Sequence, residues 1–180
     1  MKKTILAFLL VLIGFCAFSQ TKNEKILVAY FSNTGNTERV AKKAAEILKA
    51  DVFQIIPEKP YIAEDLNWRN SKSRVTLEGK NENARPAIAK KTDISGYDTI
   101  VVAYPIWWGK APKIMSTFIE SYDFSGKKIV PICTSHSSGF GKSDFQLRAL
   151  AKNAMWKNGK RFGAKFSESE LRKFLEEINK

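Results

Sequence analysis

The run Ser32-Asn-Thr-Gly-Asn-Thr37 holds residue types suited to binding an anion without a formal counter-charge. Hydroxyl and amide side chains surround one glycine, and the run contains no Lys or Arg. An anion there is held by backbone N–H groups and hydroxyl donors. The flanks show why such donors converge. Ile26 to Phe31 is an unbroken apolar run that reads as a buried strand. Glu38 to Lys49 then carries a helical stripe at Val40, Ala41, Ala44, Ala45 and Leu48. A strand feeding a helix through a polar turn aims the helix's free N–H groups and positive dipole end at one spot. An ordinary turn with a Ser, Thr or Asn N-cap has the same composition, and taken alone the segment leaves both readings open.

Two further loops have unusual content. Pro105-Ile-Trp-Trp-Gly-Lys-Ala-Pro112 sets Trp107 and Trp108 side by side between prolines. Neighbours in an extended stretch point opposite ways. One indole is therefore expected to pack under its own helix and the other to offer a stacking face to a planar ligand. Thr134-Ser-His-Ser-Ser-Gly-Phe-Gly-Lys-Ser143 is again rich in hydroxyls and glycines. His136 is the only histidine, which excludes a His-based metal cluster, and no metal is expected; as a lone loop histidine it is read as incidental to catalysis. Gly141-Lys142-Ser143 has the ending of a nucleotide phosphate loop, but the first glycine of that motif would fall at His136, so that reading is rejected.

These loops need elements to position them. Further strands are expected at Asp51–Pro57, stopped by Pro57 and Pro60, at Asp98–Pro105, at Lys127–Thr134 and, as a short fifth, within Trp156–Phe162. Helices are expected at Ala111–Tyr122, through Ile114, Met115, Phe118 and Ile119, and from about Ser143, with Leu147, Leu150, Ala151 and Ala154 on one face. The last helix follows a capping box, Ser167-Glu-Ser-Glu170, and buries Leu171, Phe174, Leu175 and Ile178. Residues 58–95 are the least patterned, with a weak helical period from Ala63 to Lys80 in which Trp68, Val75 and Leu77 are candidate contacts. Strands alternating with helices, several of them continuous apolar runs, imply an α/β fold with a doubly wound, five-stranded parallel sheet. Ligands of such sheets sit outside the C-terminal ends of the strands, where the three loops would share one rim.

The N-terminus is set apart. Lys2-Lys3, an apolar run from Ile5 to Phe18 and the small residues Ala17 and Ser19 form the layout of a secretory signal peptide cleaved after Ser19. The run is shorter than the roughly 20 residues that span a bilayer comfortably, so no stable membrane insertion is expected after cleavage. Bulky Phe15 before Cys16 argues against lipid attachment. The expected mature chain is one domain, residues 20–180, exported and periplasmic. It retains only Cys133, which allows no internal disulfide. The formal charge of +12 falls to +10 with the loss of Lys2 and Lys3. The charges sit on helix faces such as Lys42-Lys43 and Arg172-Lys173, which reads as a solvated basic surface and not as a nucleic-acid-binding tail.

In these three loops the chain resembles the flavodoxin-like FMN-binding proteins, in particular an exported bacterial branch with a Trp-Trp-Gly loop. The resemblance covers nearly the whole expected mature chain. It implies strand order 2-1-3-4-5 and FMN as cofactor. Ser32, Asn33, Thr34, Gly35, Asn36 and Thr37 would hold the phosphate. Pro105, Ile106, Trp107, Trp108 and Gly109 would line the isoalloxazine, and Thr134, Ser135, His136, Ser137, Ser138, Gly139, Phe140 and Gly141 would close over its other edge. It further implies an electron-transfer flavoprotein with an unidentified redox partner protein or small electron acceptor. An FMN-dependent NAD(P)H quinone or azo reductase is the alternative enzyme, and a cofactor-free interaction module on the same scaffold is the alternative from another class. Familiar carrier flavodoxins are acidic, whereas this chain is basic. No residue of 105–112 or 134–143 is acidic, and Lys110 and Lys142 are cationic. Full reduction of the flavin is therefore expected to be easier here than in acidic flavodoxins.

Overall fold

The computed structural model describes residues 24–178; the expected signal peptide and Cys16 lie outside the described residues. Four strands form the parallel body of one sheet: β1 (Ile26–Tyr30), β2 (Asp51–Gln54), β3 (Thr99–Pro105) and β4 (Lys128–Thr134). Their order is β2-β1-β3-β4, and the fifth position is shared by two short segments, β5 (Met155–Trp156) and β6 (Lys160–Phe162), both parallel to β4. The expected order 2-1-3-4-5 holds.

The apolar runs are continuous because both faces of the sheet are covered. Leu27, Ala29, Ile100, Val102 and Tyr104 face one core together with α3 (Lys113–Glu120). Val28, Tyr30, Val101 and Ala103 face the other, under α1 (Asn36–Leu48) and α5 (Glu168–Ile178). The capping residue of the last helix behaves as its motif requires: the Glu170 N–H donates to Ser167 Oγ at 3.4 Å, and Leu171, Phe174, Leu175 and Ile178 are buried.

Three elements differ from expectation. β2 ends at Gln54, with a last bond to β1 from the Ile55 N–H to Tyr30 O at 2.7 Å, and Pro57 then pairs antiparallel with Ile88 outside the sheet. The stretch Ala63–Lys80 is not one helix but a single 3-10 turn, Glu64–Leu66, and α2 (Arg74–Lys80). Val75 is buried there, whereas Trp68 and Leu77 are exposed. The helix after the third loop, α4 (Phe145–Leu150), starts later and stops sooner than its apolar period suggests. Ala151 is non-helical, and its carbonyl accepts the Trp156 indole N–H at 2.9 Å.

The fifth strand is broken for a local reason. The Lys157 N–H donates to Ile129 O, so this side of β4 serves β5 and β6, and two residues on Pro131 has no N–H to offer there. Gly159 sits at the break. A Cβ on it would lie 2.3 Å from ring atoms of Phe140 and 2.8 Å from Pro131 O. Gly159→Ala is expected to lower stability by about 1–3 kcal/mol through overpacking. Gly163→Ala, whose Cβ would meet only Arg161 Nη1 at 3.9 Å, is expected to change it by less than about 0.5 kcal/mol. Urea unfolding midpoints at unchanged slope compare the two.

Candidate functional site

The first loop leaves β1 with the Phe31 N–H still bonded to Ala103 O at 2.9 Å, so its base is fixed to the sheet. Gly35, immediately before α1, has φ +81°, a left-handed conformation that glycine adopts without steric cost. It is the N-cap, and none of the Ser, Thr or Asn side chains of the loop caps the helix. The N–H groups of the first turn are orphan donors at the positive end of a 13-residue helix. Thr37 is buried, with its hydroxyl 2.7 Å from that of Thr134, which ties the first loop to the third.

The second loop solves the problem of two adjacent tryptophans by a tight reversal. Trp107 and Lys110 exchange N–H···O=C bonds of 2.9 and 3.0 Å, closing a two-residue hairpin. Both central residues have positive φ, +52° at Trp108 and +74° at Gly109. That is the mirror-image turn hairpins favour, but for a residue as bulky as Trp108 it is a strained conformation. The indoles diverge as a result. Trp107 packs edge-on against Phe31 (5.5 Å) and Tyr61 (5.2 Å), whereas Trp108 is 54% exposed and meets only the edge-on ring of Trp68, at 6.3 Å, among aromatic neighbours. Gly79 of α2 makes room for it: a Cβ there would lie 3.2 Å from Trp108 Cδ1.

The third loop is braced from both sides. The Ala111 N–H donates to Ser143 O at 2.8 Å, and Arg161 donates to Ser135 Oγ and His136 O, both at 3.1 Å. Burial pushes the Cys133 thiol at the end of β4 up to about 12, so it is an inert core group.

The loops enclose a cavity of about 600 Å³, within the usual range for small-molecule sites of roughly 300–1,000 Å³. It is lined by Ser32, Asn33, Thr34, Asn36 and Thr37, by Pro105, Ile106, Trp107 and Trp108, and by Thr134, Ser135, His136, Ser137 and Ser138. Five expected residues do not line it. Gly35, Gly109 and Gly141 (φ +50°) shape the backbone of the loops instead. Gly139 lies outside the wall, and Phe140 turns away to pack on Gly159. Leu66, Trp68, Val75 and Ala164 also line the cavity. They come from the poorly patterned excursion and from the β6–α5 connection, where Trp68 and Val75 are candidate contacts in the sequence and Leu66 and Ala164 carry no signal.

Neither Lys110 nor Lys142 lines the cavity, contrary to the part expected of them. Lys110 and the buried Lys113 both donate to the Glu82 carboxylate at 2.7 Å, a clasp that fastens the second loop to the excursion. The two ammonium hydrogen bonds hold the Glu82 carboxyl down at about 2.

A parallel sheet of this order, with a cavity beyond the ends of its central strands, defines the flavodoxin-like α/β class. A flavodoxin family model matches residues 25–178, and the chain belongs to that family. It is similar to two proteins described as flavoproteins. That of Bacteroides eggerthii shows 40% identity and a TM-score of 0.82 over 87% of this chain and 98% of that one. That of Bacteroides uniformis shows 38% identity and a TM-score of 0.81 over 85% and 98%. A flavoprotein in complex with FMN from Lactobacillus acidophilus shares the fold at 21% identity, with a TM-score of 0.62 over 83% and 97%. No curated protein matches the chain.

The clasp predicts a pH dependence. Because the folded-state pKa of Glu82 is depressed from its ordinary 4.5, its contribution is present above about pH 4.5 and is lost as the pH falls toward about 2. Urea unfolding of wild type and Glu82→Gln across this range should give a stability difference that shrinks with acidification. Glu82 is largely exposed, so the difference at neutral pH is expected to stay small.

Proposed function

We propose that the chain is an FMN-binding redox protein that transfers electrons through non-covalently held FMN. The observation that carries this reading is one continuous cavity running from an uncapped helix N-terminus to a wall containing Trp68, Trp107 and Trp108. It suits a ligand with an anionic end and a planar aromatic end. The Lactobacillus acidophilus protein of the same fold, solved in complex with FMN, supports the assignment.

When bound, FMN supplies one- and two-electron transfer. The chain's own residues bind and orient it. The first-turn N–H groups of α1, with the hydroxyls of Ser32, Thr34 and Thr37, take the phosphate. Trp108, the more exposed of the adjacent indoles, provides the stacking surface, and Trp107 backs the apolar wall through its packing on Phe31 and Tyr61. Thr134 to Ser138 border the other edge. No lining residue is a carboxylate, so no side-chain charge at the wall opposes full reduction of the cofactor, in keeping with the expectation from composition. His136 is the one imidazole in the lining.

The full chain, mixed with FMN and desalted, is expected to keep a shifted flavin absorption spectrum with quenched fluorescence. A folded protein that stays colourless would sink the proposal in favour of a cofactor-free module. Thr34→Ala removes an exposed hydroxyl donor and is expected to weaken FMN binding about tenfold or more, at roughly 1.5–3 kcal/mol per hydrogen bond to a charged group; fluorescence titration measures this. The loaded protein, assayed with NAD(P)H and a quinone, is expected to turn over negligibly. Sustained NAD(P)H oxidation would make it a reductase.

A further inference from the structure

We propose that Arg39 and Arg161 form a cationic clamp at the phosphate end of the cavity, so that the site selects the phosphate ester over uncharged riboflavin and loses affinity as salt rises. This rests on the FMN reading above. The first loop has no charged residue of its own, and the two guanidiniums reach it from elsewhere in the chain. Arg39, in the first turns of α1, donates to Asn36 Oδ1 at 2.8 Å and to Ala164 O at 3.2 Å. Arg161, on β6, donates to Ser135 Oγ and to His136 O, each at 3.1 Å. All four acceptors belong to residues that line the cavity. Ser135 follows Thr134, whose hydroxyl meets that of Thr37 in the first turn of α1, so both cations stand by the α1 end of the cavity, each one hydrogen bond behind the wall.

Among the described residues neither guanidinium makes an ion pair, although both α1 and α5 carry acidic residues. Glu38 is taken by Lys42 at 2.6 Å, Glu168 by Arg172 at 3.1 Å and Lys43 at 3.6 Å, and Glu170 by Lys160 at 3.0 Å. These three carboxylates are thus paired with other cations, while the two arginines bonded to the loops have no acidic partner among the described residues. A guanidinium has five N–H donors; Arg39 spends only Nη2 on these groups, and Arg161 only Nε and Nη2. Its fixed charge and planar fork suit a phosphate oxygen. A chain of net charge +12 has other unpaired cations; what sets these two apart is that every group they bond belongs to a residue lining the cavity.

The test is fluorescence titration of the full chain with FMN and with riboflavin, at low and high NaCl. Wild type is expected to bind FMN more tightly than riboflavin and to lose FMN affinity, but not riboflavin affinity, as salt rises. Arg39→Gln and Arg161→Gln are each expected to weaken FMN roughly threefold to fivefold, the range for a partly exposed charge, with riboflavin unchanged. The double variant should flatten the salt dependence, and Arg→Lys at either position should restore much of it. A double variant with wild-type FMN affinity and wild-type salt dependence overturns the clamp and leaves the FMN reading intact. A folded wild type that binds neither flavin overturns both. Should Arg161→Gln fail to fold, Arg39→Gln decides: unchanged FMN affinity at low salt overturns the clamp.

Discussion

The cavity depends on the level at which three parallel strands stop. In the β1–β3–β4 ladder Tyr30 lies beside Ala103 and Pro105 beside Thr134, so the chain leaves all three strands at one rim. The ladder does not end with the strands. Phe31 still donates to Ala103, and Ile106 to Thr134, carrying sheet hydrogen bonds into the first residues of the loops. Because parallel strands require long crossovers, residues nearly a hundred positions apart can be set with the precision of one pleat. The Thr37–Thr134 hydroxyl contact is the product. A slip of one residue in β4 would turn Thr134 to the other face of the sheet and separate the loops.

Within that frame the Trp-Trp loop is a compromise between packing and exposure. A turn with negative φ would let both indoles seek apolar cover. The left-handed turn at Trp108 and Gly109 prevents this, sending Trp107 to the core and leaving Trp108 over the cavity rim. The strain, of order 1–3 kcal/mol for such a residue, is held by the paired hairpin bonds and by the Glu82 clasp on Lys110 and Lys113. Gly79, next to last in α2, is part of the same arrangement, since it leaves room for the indole. The strained Trp108 and the helical glycine serve one ring.

What was legible in the sequence is what rests on local pattern. The strands β1, β3 and β4, the stripes of α1, α3 and α5, and the capping box at Ser167 follow from continuous runs and fixed periods and imply the parallel sheet and the common rim, while the strand order comes from the resemblance. Fourteen of the nineteen expected site residues line the cavity. The glycines among the remaining five were correctly placed in the loops, but a glycine at positive φ shapes a wall without facing it. Phe140 was misplaced because its position is decided by Gly159, which shares no local pattern with it. Trp68 and Ala164 are brought in by the excursion after β2 and by the β6–α5 connection, where periodicity is weak and tertiary packing decides.

The charge at the site shows the same limit from the other side. Counting charges within the loops assigned the cationic part to Lys110 and Lys142, yet one is paired with Glu82 and neither faces the cavity. Proximity along the chain is a poor guide to field at a site built where several segments end. A charge matters by what compensates it and by the wall it stands behind. On that measure the arginines at 39 and 161 are the relevant cations, one a few residues into the helix that presents the anion loop and the other on the sheet's outermost strand. Both are bound to loop groups, and neither is paired with an acid among the described residues. An uncharged phosphate loop and a charged phosphate site are therefore compatible, because the donors that touch a ligand and the charges that attract it come from different parts of the chain.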